Sequence, residues 1–308
     1  MTRKEFILKE KLDQLGAFMI KFKTQQKVHE IGKVKIGGQP GENFTVLIGS
    51  IFYHGHKIVR DEKTGEFEKD EAEKLVNLQE EMSDKTGIPA LLDVVASTEN
   101  SLCRYINFVA EVTDKPFLID SPSAKVKITG AKYAREVGLE KRVIYNSILP
   151  DSKPEEFETL MECKIESAIV LAYKSNVITS QDRVNVIKEL LPKIEKAGVT
   201  KPLLDTFVID IPSLSLACKA LLILKSEIGL PCGCGAHNAI ATWSGIKTRF
   251  GSKAVKSCTV SVNLIPIVFG ADFILYGPIE DCCYIFPAVY TINASYKYVR
   301  QMGEHLEF

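Results

Sequence analysis

The amino-acid sequence predicts an α/β protein built as a closed (β/α)8 TIM barrel, on three observations. Eight strand-length apolar runs recur along the chain, amphipathic helical stretches fill the gaps between them, and no change of composition divides the 308 residues. One barrel domain of this kind commonly takes about 250 residues, so the length does not force a division. An open Rossmann-like sheet is the rival architecture. It would carry a glycine-rich phosphate turn after an early strand, and Leu47–Tyr53 has none.

The strands are expected at Thr45–Phe52, Ala90–Val95, Pro116–Asp120, Arg142–Ser147, Ser167–Ala172, Thr206–Asp210, Leu230–Gly235 and Ala271–Tyr276. Most of these runs are apolar on both faces, as parallel strands buried between a core and a helical layer must be. Between them, Asp70–Thr86, Ser101–Val112 and Gln181–Ala197 repeat apolar residues at helical spacing. Thr98 and Ser180 stand at the expected N-caps of the last two helices. Gly87, Gly138, Gly198 and Gly229 each fall between a helix and a strand, where a left-handed stop is needed. The stretch Asn238–Gly270 is long for one barrel helix and has room for two.

Two regions fall outside the repeat. Residues 1–22 read as an N-terminal extension helix, with Phe6, Leu8, Leu12, Leu15 and Met19 partly in phase. Residues 28–43 read as a hairpin or lid below the barrel with Gly37-Gly38 as its turn. The domain boundaries expected are therefore 1–22 for the extension and 23–308 for the barrel.

Composition excludes several classes. Lysines plus arginines and aspartates plus glutamates each number 39, giving zero formal charge, so nothing global attracts nucleic acid or an anionic membrane. No apolar run is long enough to span a bilayer, and the charged N-terminus does not read as a secretory signal. Eight scattered cysteines read as reduced thiols in a cytoplasmic protein.

Chemistry in such a barrel sits at the C-terminal ends of the strands. Here those ends are polar. Asp93, with Ser97 and Glu99 beyond it, closes the second expected strand, and Asp120-Ser121 the third. Asn146-Ser147 closes the fourth and Asp210 the sixth, and the seventh runs into His237-Asn238. A pterin ring would use such a set. Its aminopyrimidinone edge presents an N–H and an NH2 side by side, which one carboxylate accepts together, and an amide can serve the rest of the edge. Leaving such groups unmatched in a buried site would cost about 1–3 kcal/mol each. The competing reading for each residue is a helix cap or loop hydrogen bond. That reading leads for Glu99 and Asp93 and is level for Asp210. Cys232, Cys234 and His237 offer a weak zinc spacing that lacks an evident fourth ligand, so no metal is assigned. The lone Trp243 reads first as structural, and the basic run 247–256 as a solvated helix face.

Longer motifs then carry a resemblance. KIGGQPGE (35–42), IFYHGHKIV (51–59), DEKTGEF (61–67), QEEMSDKTG (79–87), FLIDS (117–121) and VGLEKRVIYNSI (137–148) resemble the MtrH family of tetrahydromethanopterin S-methyltransferase, with weaker similarity to about residue 278. That family is similar to soluble methyltetrahydrofolate:corrinoid-protein methyltransferases, which are barrels of the pterin-binding type. The resemblance implies methyl transfer between N5 of a tetrahydropterin and the cobalt of a corrinoid carried by another protein. Because this chain shows no membrane segment, the reading put first is tetrahydrofolate as the pterin, in a methylotrophic one-carbon pathway. The alternatives are a tetrahydromethanopterin-specific component, or a non-catalytic pterin- or corrinoid-binding accessory protein. Carried over by position, Asp120, Asn146 and Asp210 would hold the pterin, with Asp93, Ser121 and Ser147 beside them. Asn238 and Asp210 are the catalytic candidates, Asn238 facing N5. A homodimer is implied by the resemblance alone. Dihydropteroate synthase, another pterin barrel, would want a lysine near the seventh strand and an arginine after the eighth. Leu230–Asn238 has no lysine and Tyr276–Ile279 no arginine.

Overall fold

The computed structural model describes residues 20–302 and 306–307. The helix expected over residues 1–22 therefore lies outside the described residues except at its end. There Ile20–Lys21 form a short strand parallel to Leu306–Glu307.

Eight parallel strands close on themselves: β1 (Val46–Ile51), β2 (Ala90–Val95), β3 (Phe117–Asp120), β4 (Val143–Ile148), β5 (Ser167–Leu171), β6 (Lys201–Asp205), β7 (Cys232–Cys234) and β8 (Phe273–Pro278). The helices α1 (Lys69–Thr86), α2 (Glu99–Val112), α3 (Ala124–Glu136), α4 (Pro154–Cys163), α5 (Ser180–Lys196), α6 (Ile211–Glu227), α7 (Ala254–Val268) and α8 (Cys282–Met302) follow them in turn. Pairing of β8 with β1, Phe273 opposite Val46, shuts the cylinder. The segment before α7 holds two short helices, Asn238–Ala241 and Ile246–Phe250, so the stretch carries three helices rather than two.

Several helix starts are capped by side chains. Thr98 accepts from the Ser101 N–H at the start of α2. At α5 the cap is Thr179, not Ser180: its hydroxyl accepts from the Asp182 N–H and the Asp182 carboxylate answers the Thr179 N–H at 2.8 Å. The expected stop glycines all have positive φ, between 69° and 85°.

The sixth strand departs from expectation. It runs Lys201–Asp205, five residues earlier than the apolar TFVID run suggested. Phe207 adopts φ +60°, which no strand accommodates, and its N–H turns back to Asp205 Oδ1 at 2.7 Å. Asp210 therefore does not end a strand. It is the N-cap of α6, accepting from the Ser213 N–H at 2.9 Å, and it is exposed.

Alternation along the strands sorts the interior into layers. Val46 and Ile48 of β1, Leu91, Leu118, Ile144, Ile169, Leu203, Phe273 and Leu275 form one apolar cluster inside the barrel. At β7 the inward position is Gly233, whose missing side chain is filled by Phe273. A Cβ there would lie 2.1 Å from the Phe273 carbonyl oxygen. The hairpin Val28–Ile31/Val34–Gly37 adds Ile31, Val34 and Ile36 to the same cluster and plugs the N-terminal end. Its turn is at Gly32-Lys33, where Gly32 has φ +54°, and not at Gly37-Gly38. The second core lies outside the cylinder, between strands and helices.

Beside the plug lies a fully buried ion pair. Lys225 Nζ of α6 is 2.7 and 2.6 Å from the two Asp272 carboxylate oxygens and 3.2 Å from the Gly38 carbonyl. The Cys232 N–H donates to Asp272 as well, at 2.8 Å.

Candidate active site at the C-terminal mouth

One step above the apolar layer, the inward positions turn polar. In β1, β2, β3, β4 and β6 the pattern is an apolar residue, one outward residue, then a polar one. The five cases are Ile48 to Ser50, Leu91 to Asp93, Leu118 to Asp120, Ile144 to Asn146 and Leu203 to Asp205. These five polar side chains line a cavity of about 460 Å³ in the barrel mouth, together with Tyr53, Ser147, Phe207, His237 and Asn238. No lysine or arginine is among the lining residues.

Asp93 is the hub of one side. Its carboxylate accepts from Ser50 Oγ at 2.8 Å and from Asn146 Nδ2 at 3.1 Å. Burial lifts its pKa to about 6 in spite of those two donors. Asp120 stands opposite Asn146 in the strand register. Burial raises its carboxyl well above the ordinary range, the neighbouring Asp93 charge pushes the same way, and Lys127 and the Ser121 N–H oppose. Each carboxyl therefore resists ionisation while the other is charged. Lys127 sits behind this wall, donating to the Ser147 carbonyl at 2.7 Å, with Glu156 at 3.2 Å.

Asp205 faces them from β6. Burial carries it to about 7, with the Phe207 and Gly235 N–H groups working against the rise. The site thus holds three carboxyls, Asp93 and Asp205 buried and Asp120 half-buried, and little positive charge to meet them. His237 does not supply it. Burial depresses its imidazole, which the Leu275 carbonyl 2.9 Å from Nδ1 and the Asp281 charge only partly offset. A neutral ring with Nδ1–H donated to that carbonyl leaves Nε2 as an acceptor. The ring packs on Gly277, φ +99°, where a Cβ would come within 3.0 Å of His237.

Most of the residues singled out from sequence meet here. Asp93, Asp120, Asn146, Ser147 and Asn238 share the cavity wall. Among the described residues the Asn238 side-chain amide has no hydrogen-bond partner, and Asn238 lines the cavity. Asp210 is outside, spent on its cap, and Asp205 takes the inward place at the strand-six end. Ser121 is also outside. It falls past the end of β3 and accepts from the Ser123 N–H at 3.2 Å in the turn to α3. Glu99 belongs to a surface network with Lys125 and Thr129. Cys232 and Cys234 pack outward into the helical core, and among the described residues no three metal-ligating side chains gather. Sequence reasoning missed Ser50 and Asp205. The signal was the repeated apolar-x-polar ending, which Ile48-Gly49-Ser50 and Leu203-Leu204-Asp205 share with the three recognised strands.

The fold is that of the dihydropteroate synthases. The structure of the Yersinia pestis dihydropteroate synthase with a pterine–sulfa conjugate superposes with a TM-score of 0.60 at 13% identity, over 88% of this chain and all of that one. The Xanthomonas albilineans enzyme with 4-aminobenzoic acid gives 0.58 at 14%, over 89% and 98%. Sequence defines the family more closely. Residues 24–307 match the model of the tetrahydromethanopterin S-methyltransferase MtrH subunit. The tetrahydromethanopterin S-methyltransferase protein of this type from Methanothermobacter thermautotrophicus is 41% identical over 281 residues, 88% of this chain and 91% of that protein. Its counterpart in Methanocaldococcus jannaschii is 40% identical over 296 residues, 90% and 93%. The matching component of a putative methyltransferase, mtx, of Methanosarcina mazei is 38% identical over 280 residues, 87% and 90%. This chain therefore belongs to the MtrH family of methyltransferases.

Proposed function

We propose that this barrel binds a reduced pterin in its mouth and transfers a methyl group between N5 of that pterin and a corrinoid held by a partner protein. The observation that carries the reading is the wall of acceptors. Asp93, Asp120 and Asp205 line one cavity with Asn146 and no lysine or arginine. Such a wall repels phosphate and suits a flat ring whose edge is rich in N–H donors. Asp120, Asn146 and Asp205 would fix the aminopyrimidinone edge. The family's names favour tetrahydromethanopterin over the tetrahydrofolate preferred from sequence. The corrinoid supplies the cobalt that gives or takes the methyl group. The protein's own share is orientation. Asn238, an amide that does not titrate, would follow N5 as its charge changes.

The mouth also presents apolar side chains to a partner. Ile178 in the loop after β5 and Ile209 in the loop after β6 are 72% and 49% exposed, which suits a docked corrinoid-carrying protein. Among the described residues no helix is long and apolar enough to cross a membrane. A homodimer is the assembly expected from family resemblance.

Mixing the protein anaerobically with methylcobalamin and either tetrahydromethanopterin or tetrahydrofolate tests the reaction, with the Co(I) absorption band as readout. Co(I) should appear faster with tetrahydromethanopterin. Pterin binding without any Co(I) would favour the accessory-protein reading. Asn238→Ala should slow transfer about a hundredfold while weakening pterin affinity less than tenfold. Equal losses in both would remove Asn238 from N5.

A further inference from the structure

A second cavity, about 380 Å³, adjoins the first, and His237, Ala241 and Pro278 line both. Its other walls come from the short helices Asn238–Ala241 and Ile246–Phe250 and from α7. None of the carboxyl machinery reaches it, so its chemistry is its own. Trp243, the chain's single tryptophan, is half-buried in its lining and packs edge-on against Phe250, ring centroids 5.9 Å apart. Asp281 also lines it but is already paired with Lys256. Lys247 lines it too, exposed and without a carboxylate partner among the described residues.

We infer that this cavity is the subsite for the substituent carried at C6 of the pterin, an aryl group ending in negative charge. The inference rests on the pterin reading of the mouth and deepens it. C6 is bonded to N5. If N5 faces Asn238, the substituent leaves the ring beside that residue, and the preceding residue, His237, is where the second cavity begins. An indole held by its neighbours offers the aryl ring a stacking face. A partnerless ammonium at the outer end offers its charge to whatever anion terminates the tail. Both tetrahydrofolate and tetrahydromethanopterin carry an arylamine at this position. One ends in carboxylates, and the other in a longer chain bearing phosphate and carboxylates. The subsite is thus where the two pterins would be told apart.

Anaerobic titration calorimetry tests this with three probes: tetrahydromethanopterin, tetrahydrofolate and 6-methyltetrahydropterin, which has the ring without the tail. Trp243→Ala should lower affinity for the two tailed pterins about tenfold, and Trp243→Phe should restore most of it. Lys247→Glu, an exposed change that spares the fold, should cost about three- to fivefold with whichever tail the lysine reads, more at low salt. Both variants should leave 6-methyltetrahydropterin unaffected. A larger loss with tetrahydrofolate would mean the lysine reads its carboxylates, and a larger loss with tetrahydromethanopterin that it reads the phosphate-bearing chain. Either outcome supports the subsite. If wild type and both variants bind tailed and tailless pterins alike, the subsite is refuted while the ring site stands. If 6-methyltetrahydropterin fails to bind wild type at all, the pterin reading falls and the subsite with it.

Discussion

The two ends of the barrel treat buried carboxylates in opposite ways. At the plugged end, Asp272 has a lysine 2.6 Å away and a backbone N–H at 2.8 Å. At the open end Asp93, Asp120 and Asp205 line a cavity with no cationic side chain in its wall. Burial raises the carboxyls at both ends, but only the lower one has its counter-charge built in. A buried charge that is paired belongs to the architecture, whereas several gathered without a cation in their wall mark a candidate functional site. The lower end is finished by folding; under the function proposed here, the upper end is finished by the pterin.

The largest effect should follow from breaking the lower end. Lys225→Met strands Asp272 without its cation, and removal of one partner from a buried pair costs about 3–5 kcal/mol. Thermal denaturation should show a fall of about 10 °C in Tm, with pterin affinity of the folded fraction unchanged. A fall in affinity without a fall in Tm would erase the contrast between the ends.

Asp205→Asn should do the reverse. Affinity for tetrahydropterin should drop about a hundredfold, because an amide presents N–H groups to ring donors, while the fold survives. Its pH signature is specific. Asp93 and Asp205 keep their protons in the folded chain up to about pH 6 and 7, whereas the unfolded chain loses them near 3.8. Protonated, they stabilise the fold fully below about pH 4. That contribution is lost as pH rises towards 7. In wild type, pterin affinity should climb over the same upper range as Asp205 ionises. Asp205→Asn should lessen the stability decline up to about pH 7 and remove that part of the affinity rise. Denaturation and binding curves taken at closely spaced pH values would show either effect.

The smallest effect separates the two aspartates around β6. Asp210→Ala removes a helix cap and should cost about 1 kcal/mol of stability, with no change in pterin binding. A binding defect in Asp210→Ala and none in Asp205→Asn would restore the placement read from sequence.

That misplacement shows what the sequence could tell and where it stopped. The barrel, seven of its eight strands and the stop glycines were legible because apolar runs and glycine positions are local signals. Asp120 and Asn146 were legible for the same reason, each closing an apolar run. Asp93 was legible as a strand-end carboxylate, but its role as acceptor for both Ser50 and Asn146 depends on three strands meeting. Strand six was misread because Phe207, Val208 and Ile209 look like a strand, while a positive φ at Phe207 makes them a loop whose Ile209 is 49% exposed. Local apolarity could not reveal that backbone turn. Counting inward positions across neighbouring strands could have, since Leu203-x-Asp205 repeats Leu91-x-Asp93 and Leu118-x-Asp120. The hairpin turn failed similarly: Gly37-Gly38 is the stronger glycine pair, but the pairing of His29 with Ile36 centres the turn on Gly32-Lys33.

Among the described residues, the hairpin that stoppers the cylinder with Ile31, Val34 and Ile36 shuts the well at the end away from its mouth. A carrier protein seated across that mouth would bar a small molecule from passing through it. Under the function proposed here, the pterin must then enter before the carrier arrives and depart after it has gone. Kinetics of compulsory order, with the pterin first on and last off, would follow from three greasy side chains at the far end.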